Sequence, residues 1–157
     1  MNKSAPFNIV LIEPEIPPNT GNIARLCAAT HCKLHLVEPL GFEINDKTLK
    51  RAGMDYWEHV NWVSWPSLDA FFASLGKDVR FFLFTTKASS SFYQASFQKG
   101  DYLIFGRETK GLPESLLKQH SNVCLKIPMP NEAARSLNLA TSVGIIAYEA
   151  LRQIGRV

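Results

Sequence analysis

Three short stretches of this chain combine residue types that can do chemistry at spacings that place them between strand and helix. The first is Asn19-Thr20-Gly21-Asn22-Ile23-Ala24-Arg25. It opens a helical pattern, where free backbone N–H groups and the helix dipole favour an anionic group. Gly21 permits close backbone approach, Asn19 and Asn22 can shape the loop or donate to a ligand, and Arg25 lies one helical turn beyond Gly21. A structural cap with a surface arginine is the plainer reading of the same residues. The second stretch runs from Phe105 to Pro113, where Gly106 and Gly111 bracket Arg107, Glu108 and Lys110. Gly106 can let a flat ligand lie against the backbone, and Glu108 can stabilise a cation or order the loop. A charged turn is the bland alternative. In the third, Ile127-Pro128-Met129-Pro130 leads to Ser136, Leu137 and Asn138. Ser136 is expected to cap a helix, and Asn138, a poor helix former in the first turn, can face a ligand.

Other chemistries fit less well. A dinucleotide fold needs G-x-G-x-x-G at the first loop, and one glycine cannot do three steric jobs. No phosphate-binding G-x-x-x-x-G-K-[ST] occurs. Cys27, Cys32 and Cys124 fit no C-x-x-C pattern and read as buried free thiols, and His31, His35, His59 and His120 are scattered. No metal site is expected, since zinc needs about four clustered ligands.

The elements that must position these loops follow from the apolar pattern. Strands are expected at Phe7–Glu13, Lys33–Val37, His59–Trp65, Val79–Thr85, Asp101–Phe105 and Val123–Ile127. Pro14, Pro17 and Pro18 predict a loop, with Asn19 or Thr20 capping the first helix. Further helices are expected from Asp46 through Arg51, from Ser67 to Leu75, from Pro113 to Gln119, and from Ser136 to Ile154. The last carries Leu137, Ala140, Val143, Ala147, Ala150 and Ile154 along one face. The stretch Lys87–Lys99 is Ser-rich and ambiguous. Strands alternating with helices imply one α/β domain over residues 1–157, with a mostly parallel sheet of about six strands covered on both faces. Such folds bind ligands beyond the carboxyl ends of their strands.

Composition narrows the class. The chain has 157 residues, 46% hydrophobic and 20% charged, which suits one globular domain. Its apolar runs are too short for a membrane-spanning helix, and Met1 to Asn8 shows no secretory pattern, so the cytoplasm is the expected compartment. The net charge of +3 is uneven: residues 1–76 hold six Lys/Arg against eight Asp/Glu, and residues 77–157 hold eleven against six. The second half therefore hints at a polyanionic partner, although a chance asymmetry of a solvated surface reads the same way.

Taken together, N-x-G-N-x-x-R, F-G-x-E-x-x-G and I-P-M…S-L-N-L-x-x-S-V resemble the three motifs of the SPOUT methyltransferases, from about Val10 to Gly155. IVLIEPEIPPNTGNIARLCA, RAGMDYWEH and GDYLIFGRETKGLP are similar to the minimal members of that family that act on the tRNA wobble nucleotide. The resemblance implies a C-terminal deep trefoil knot, an S-adenosyl-L-methionine (AdoMet) cofactor and no appended RNA-binding domain. It implies methyl transfer to the ribose 2′-OH of nucleotide 34, a cytidine or modified uridine, with leucine tRNAs as the expected substrates. Phe84, Gly106, Ile127 and Ser136 match cofactor-contacting positions, with Thr85, Glu108, Gly111, Met129 and Leu137 adjacent to them. Arg25 matches the motif-one arginine, and Asn22, Ser136 and Asn138 would orient the site. An arginine stays protonated at ordinary pH, so Arg25 is read as holding a phosphate or stabilising developing alkoxide charge. Phosphate contacts are expected from Lys47, Lys50, Arg51, Lys87, Arg107 and Lys110. The resemblance also implies a homodimer through the first and last helices, with Tyr148 beside the apolar stripe. An rRNA target, another tRNA position and a non-catalytic RNA-binding role are the alternatives.

Overall fold

A computed structural model describes residues 4–45, 47, 57–131 and 133–157. Its centre is β1 (Asn8–Ile12), five residues of which four are buried. Alternate side chains of a strand point to opposite faces, so a strand apolar at every position needs a core on each side. Both cores are present. Ile9 and Leu11 join one with Ile23, Cys27, Val143, Ile146 and Leu151. Val10 and Ile12 join another with Phe71, Leu83, Ile104 and Leu116.

The remaining strands are β2 (Lys33–Val37), β3 (Trp62–Trp65), β4 (Phe81–Phe84), β5 (Ser90–Ser91), β6 (Tyr102–Phe105) and β7 (Cys124–Lys126). They lie in the order β3-β2-β1-β6-β4-β7-β5, with every pairing parallel. Val10 is flanked by His35 on one side and Ile104 on the other. The last strand in the chain, β7, sits between β4 and β5, pairing Leu125 with both Phe84 and Ser90. Helices α1 (Pro17–Thr30) and α4 (Leu139–Gln153) supply the first core; α2 (Leu68–Ala73) and α3 (Glu114–Gln119) supply the second.

The sequence reading needs four corrections. The sheet has seven strands where about six were expected, because the ambiguous Ser-rich stretch contributes the two-residue edge strand β5. Helix α1 begins at Pro17, where a loop was expected: its first two positions are prolines, and the first turn of a helix needs no N–H there. Helix α4 begins at Leu139 with Asn138 as its cap, so Ser136 is not the cap and Asn138 is not inside the first turn. The buried face of α4 is Val143, Ile146, Ala147, Ala150 and Leu151, while Leu137 lies outside the helix and is 39% exposed. The helix expected at Asp46–Arg51 lies outside the described residues, Lys47 apart. The three cysteines are buried and unpaired, as read from their surroundings.

Candidate active site

Because all strands run the same way, the loops after β1, β4, β6 and β7 leave one edge of the sheet. They enclose a cavity of about 430 Å³, within the size range of small-molecule and cofactor sites. Phe84 and Thr85 enter it from the end of β4, Phe105 to Leu112 from the loop after β6, and Ile127 and Met129 from the loop after β7. Ser136, Leu137 and Asn138 close it at the start of α4, and Ile16 and Asn19 at the start of α1. The nine residues expected around a cofactor are therefore all on its wall: Phe84, Thr85, Gly106, Glu108, Gly111, Ile127, Met129, Ser136 and Leu137.

Each wall is shaped by a local cause. The loop after β6 folds back on itself: Arg107 and Gly111 form an isolated antiparallel bridge, with the Gly111 N–H donating to the Arg107 carbonyl at 2.8 Å. A Cβ on Gly106 would stand 2.1 Å from the Gly111 carbonyl carbon and 2.3 Å from the Leu112 nitrogen. Gly106 is thus required by the loop's own backbone, whatever lies in the cavity beside it. Gly111 has φ +66°, a left-handed conformation that disfavours side chains. At the end of β4 the Thr85 hydroxyl accepts the Lys87 N–H at 3.1 Å and turns the chain.

Glu108 does not reach into the cavity as a free carboxylate. Its Oε1 accepts the Glu15 N–H at 2.8 Å, and its Oε2 accepts the Ile16 N–H at 2.8 Å and the Asn19 side-chain amide at 3.3 Å. Ile16, the N-cap of α1, has no side-chain acceptor of its own. Glu108 supplies one from 92 residues away, and its charge sits favourably at the helix N-terminus. Asn138 is also engaged: its side-chain oxygen accepts the Thr141 N–H at 3.2 Å, and its amide donates to the Asn19 side-chain oxygen at 3.0 Å. Asn19, 7% exposed, therefore joins all three loops. The sequence reading offered it as a cap or as a residue that shapes its loop; the structure shows that it ties its loop to the other two.

The expected catalytic and RNA-contacting residues divide. Lys87, Arg107 and Lys110 line the cavity, giving it a cationic rim. Asn22 and Arg25 are exposed on α1, one and two turns beyond Asn19, and are not on the cavity wall. Lys47 is exposed and away from the wall, and Lys50 and Arg51 lie outside the described residues. Glu15 and Thr109, which the sequence reading passed over, meet across the seam between α1 and the cavity loop. The Glu15 carboxylate accepts the Thr109 hydroxyl at 2.7 Å and the Thr109 N–H at 3.1 Å. Those two bonds, aided by the Arg107 and Lys110 charges, hold the Glu15 carboxyl below its ordinary pKa.

A parallel α/β sheet whose carboxyl-end loops wall a cavity is the architecture of a ligand-binding α/β enzyme, and the chain belongs to the SpoU rRNA methylase family, whose profile matches residues 6–148. Among its relatives, the tRNA (cytidine(34)-2′-O)-methyltransferase of Saccharophagus degradans is 51% identical over 152 residues, covering 95% of this chain and 96% of that protein. The enzyme of the same name from Burkholderia ambifaria is 46% identical over 95% of this chain and 96% of its own length. A solved structure concerned with 2′-OH methylation of C/U34 on tRNA superposes with a TM-score of 0.89 at 49% identity, covering 94% of this chain and 95% of that one. An AdoMet-bound rRNA methyltransferase from Sinorhizobium meliloti shares the fold, with a TM-score of 0.81 at 24% identity.

Proposed function

We propose that this chain transfers a methyl group from AdoMet to the ribose 2′-OH of nucleotide 34 of tRNA. The observation that carries the reading is the meeting of three loops on one cavity, in a chain half identical over nearly its whole length to enzymes named for that reaction. The donor set fits AdoMet: Phe84, Phe105, Leu125 and Ile127 offer apolar walls for an adenine, and Lys87, Arg107 and Lys110 offer cations for a carboxylate. Bound there, the cofactor supplies a sulfonium methyl that is already electrophilic, so the protein's task is positioning. Asn138, held between Asn19 and the first turn of α4, orients the acceptor ribose. Arg25, with Asn22, holds the adjoining phosphate and stabilises the negative charge that develops on the 2′-oxygen. An arginine cannot accept the proton, which leaves by another acceptor.

The C-terminal third of the chain is read as the trefoil knot of the family, and the insertion of β7 between β4 and β5 supports that reading. The functional unit is read as a homodimer paired along α1 and α4. Tyr148, 47% exposed on α4, supports it, as does the modest charge of one protomer. Leucine tRNAs in the cytoplasm are the expected substrates.

The test is a methylation assay of total tRNA with purified protein, followed by nucleotide-resolution mapping of ribose methylation. A 2′-O-methyl group at position 34 is expected. Methylation confined to rRNA or to another tRNA position would overturn the reading, and so would calorimetry showing no AdoMet binding. Arg25→Ala is expected to slow single-turnover transfer at least hundredfold while AdoMet affinity stays within threefold. Equal loss of both would make Arg25 structural.

A further inference from the structure

The cavity loop and the helix that carries Asn22 and Arg25 are distant in sequence, and a methyl transfer needs donor and acceptor groups held at a fixed separation. Two carboxylates cross the seam between them in opposite directions. Glu108, on the loop, accepts backbone N–H groups of Glu15 and Ile16 at the head of α1. Glu15, at the head of α1, accepts the N–H and hydroxyl of Thr109 on the loop. Glu108 thus grips backbone, while Glu15 grips the one residue that follows Glu108. The backbone around Glu15 is itself held from behind. The Gly41 N–H donates to the Pro14 carbonyl at 2.9 Å, and a Cβ on Gly41 would stand 2.7 Å from the Glu15 Cα. Glu15 is therefore a fixed post, and Thr109, which lines the cavity, is the point at which the post holds the loop.

We propose that Glu15 and Thr109 form a positioning pair that locks the cavity loop to the head of α1, setting the cofactor against the groups on that helix. The inference rests on the methyltransferase reading above. Neither residue need touch a reacting atom. All three bonds of Glu108 to the head of α1 end on one carboxylate; the reversed clasp by Glu15 adds a second, separate point of attachment one residue further along the loop. Arg107 and Lys110 flank the Glu15 carboxylate electrostatically, so the pair also balances charge beside the cationic rim.

The experiment compares wild type with Glu15→Ala, Thr109→Val and their double variant. AdoMet affinity is read by calorimetry and methyl transfer by single-turnover kinetics at saturating AdoMet, well below the unfolding temperature. Each single change is expected to weaken AdoMet binding or slow transfer by five- to tenfold. The double variant should be no worse than the worse single one, because both changes cut the same link. Thr109→Ser and Glu15→Gln, which keep a hydroxyl donor and an acceptor oxygen, should stay within twofold of wild type. A merely structural contact would lower the unfolding temperature without moving either readout. The proposal is overturned if both single variants stay within twofold of wild type, if their effects multiply in the double variant, or if Thr109→Ser loses as much as Thr109→Val. Should Glu15→Ala fail to fold, the Thr109→Val and Thr109→Ser pair decides the matter alone. If wild type binds no AdoMet, the parent reading fails instead, a result distinct from normal wild-type binding with unaffected variants.

Discussion

The two ends of the sheet use polar residues in opposite ways. At the amino ends of the strands, and behind them at mid-strand His35, they pair among themselves around a buried aspartate and a buried histidine. Asp101, 2% exposed, accepts Arg80 Nε at 2.9 Å and the Gln98 N–H at 2.8 Å. His35, also 2% exposed, accepts Trp65 Nε1–H on Nδ1 at 3.1 Å, which leaves Nε2–H to donate to the Asn8 side-chain oxygen at 3.0 Å. Asn8 in turn donates to the Gly100 carbonyl. Nothing in these chains is directed at a cavity. At the carboxyl ends, Glu15, Glu108, Asn19 and Asn138 bind one another's loops across roughly 90 to 120 residues of chain; Asn19 is buried, but Glu15 and Glu108 are half-buried and Asn138 is exposed beside open space. A polar group sealed among partners stabilises one conformation, whereas a polar group at a cavity rim can hold a loop and still meet a ligand.

If that division is right, breaking the first set should cost stability and breaking the second should cost binding. The largest stability effect is expected from Asp101→Ala, which strips the Arg80 guanidinium and the Gln98 N–H of a buried acceptor. A loss of about 3 kcal/mol in denaturant unfolding is expected, with AdoMet affinity unchanged in calorimetry. Coupled loss of affinity at full folding would erase the distinction between the ends.

Gly106→Ala is the counterpart at the other end. Its methyl group cannot coexist with the backbone of Gly111 and Leu112, so the loop must leave its fold-back. AdoMet affinity is expected to fall at least hundredfold, about 2.7 kcal/mol, while far-UV circular dichroism stays that of wild type. Tight binding by this variant would show that the loop's shape is not what the cavity needs.

A third effect, spread over a pH range, is one of protonation. Burial, with a lesser contribution from Lys33, lowers the His35 pKa from 6.5 to about 4. Between those values the unfolded chain binds a proton that the folded chain refuses, so stability rises with pH across that window. The contribution is complete above about pH 6.5 and is lost progressively toward pH 4, amounting to about 3 kcal/mol. Urea unfolding of wild type from pH 7 to pH 4, set against a His35→Gln variant, would isolate it; parallel pH profiles would refute the assignment.

Much of the site was legible because its residues lie just beyond strands. The rule that parallel sheets bind ligands beyond their strand ends pointed to the loops after Thr85, Phe105 and Ile127; Phe84 and Ile127 as individual contacts came from the family resemblance. Boundaries set by long-range contacts were less visible. The start of α1 at Pro17 depends on a carboxylate 92 residues away. The edge strand β5 exists because β7 pairs with it, not because Ser90 and Ser91 favour extended structure. Helix α4 starts only at Leu139, so Leu137, placed by periodicity on its apolar face, lies in the loop before it.

Periodicity, turn residues and motif spacing thus determined from sequence alone that this is a parallel α/β chain with three chemically equipped loops, since each of those signals acts within a few residues. Only the tertiary structure decided what the charged and amide side chains in those loops hold. Glu108 turned out to be a cap for a distant helix, Gly106 a site of backbone contact, and Glu15 a partner for Thr109. A hydrogen bond is specified by atoms within about 3 Å of one another, and folding, not sequence order, brings those atoms together.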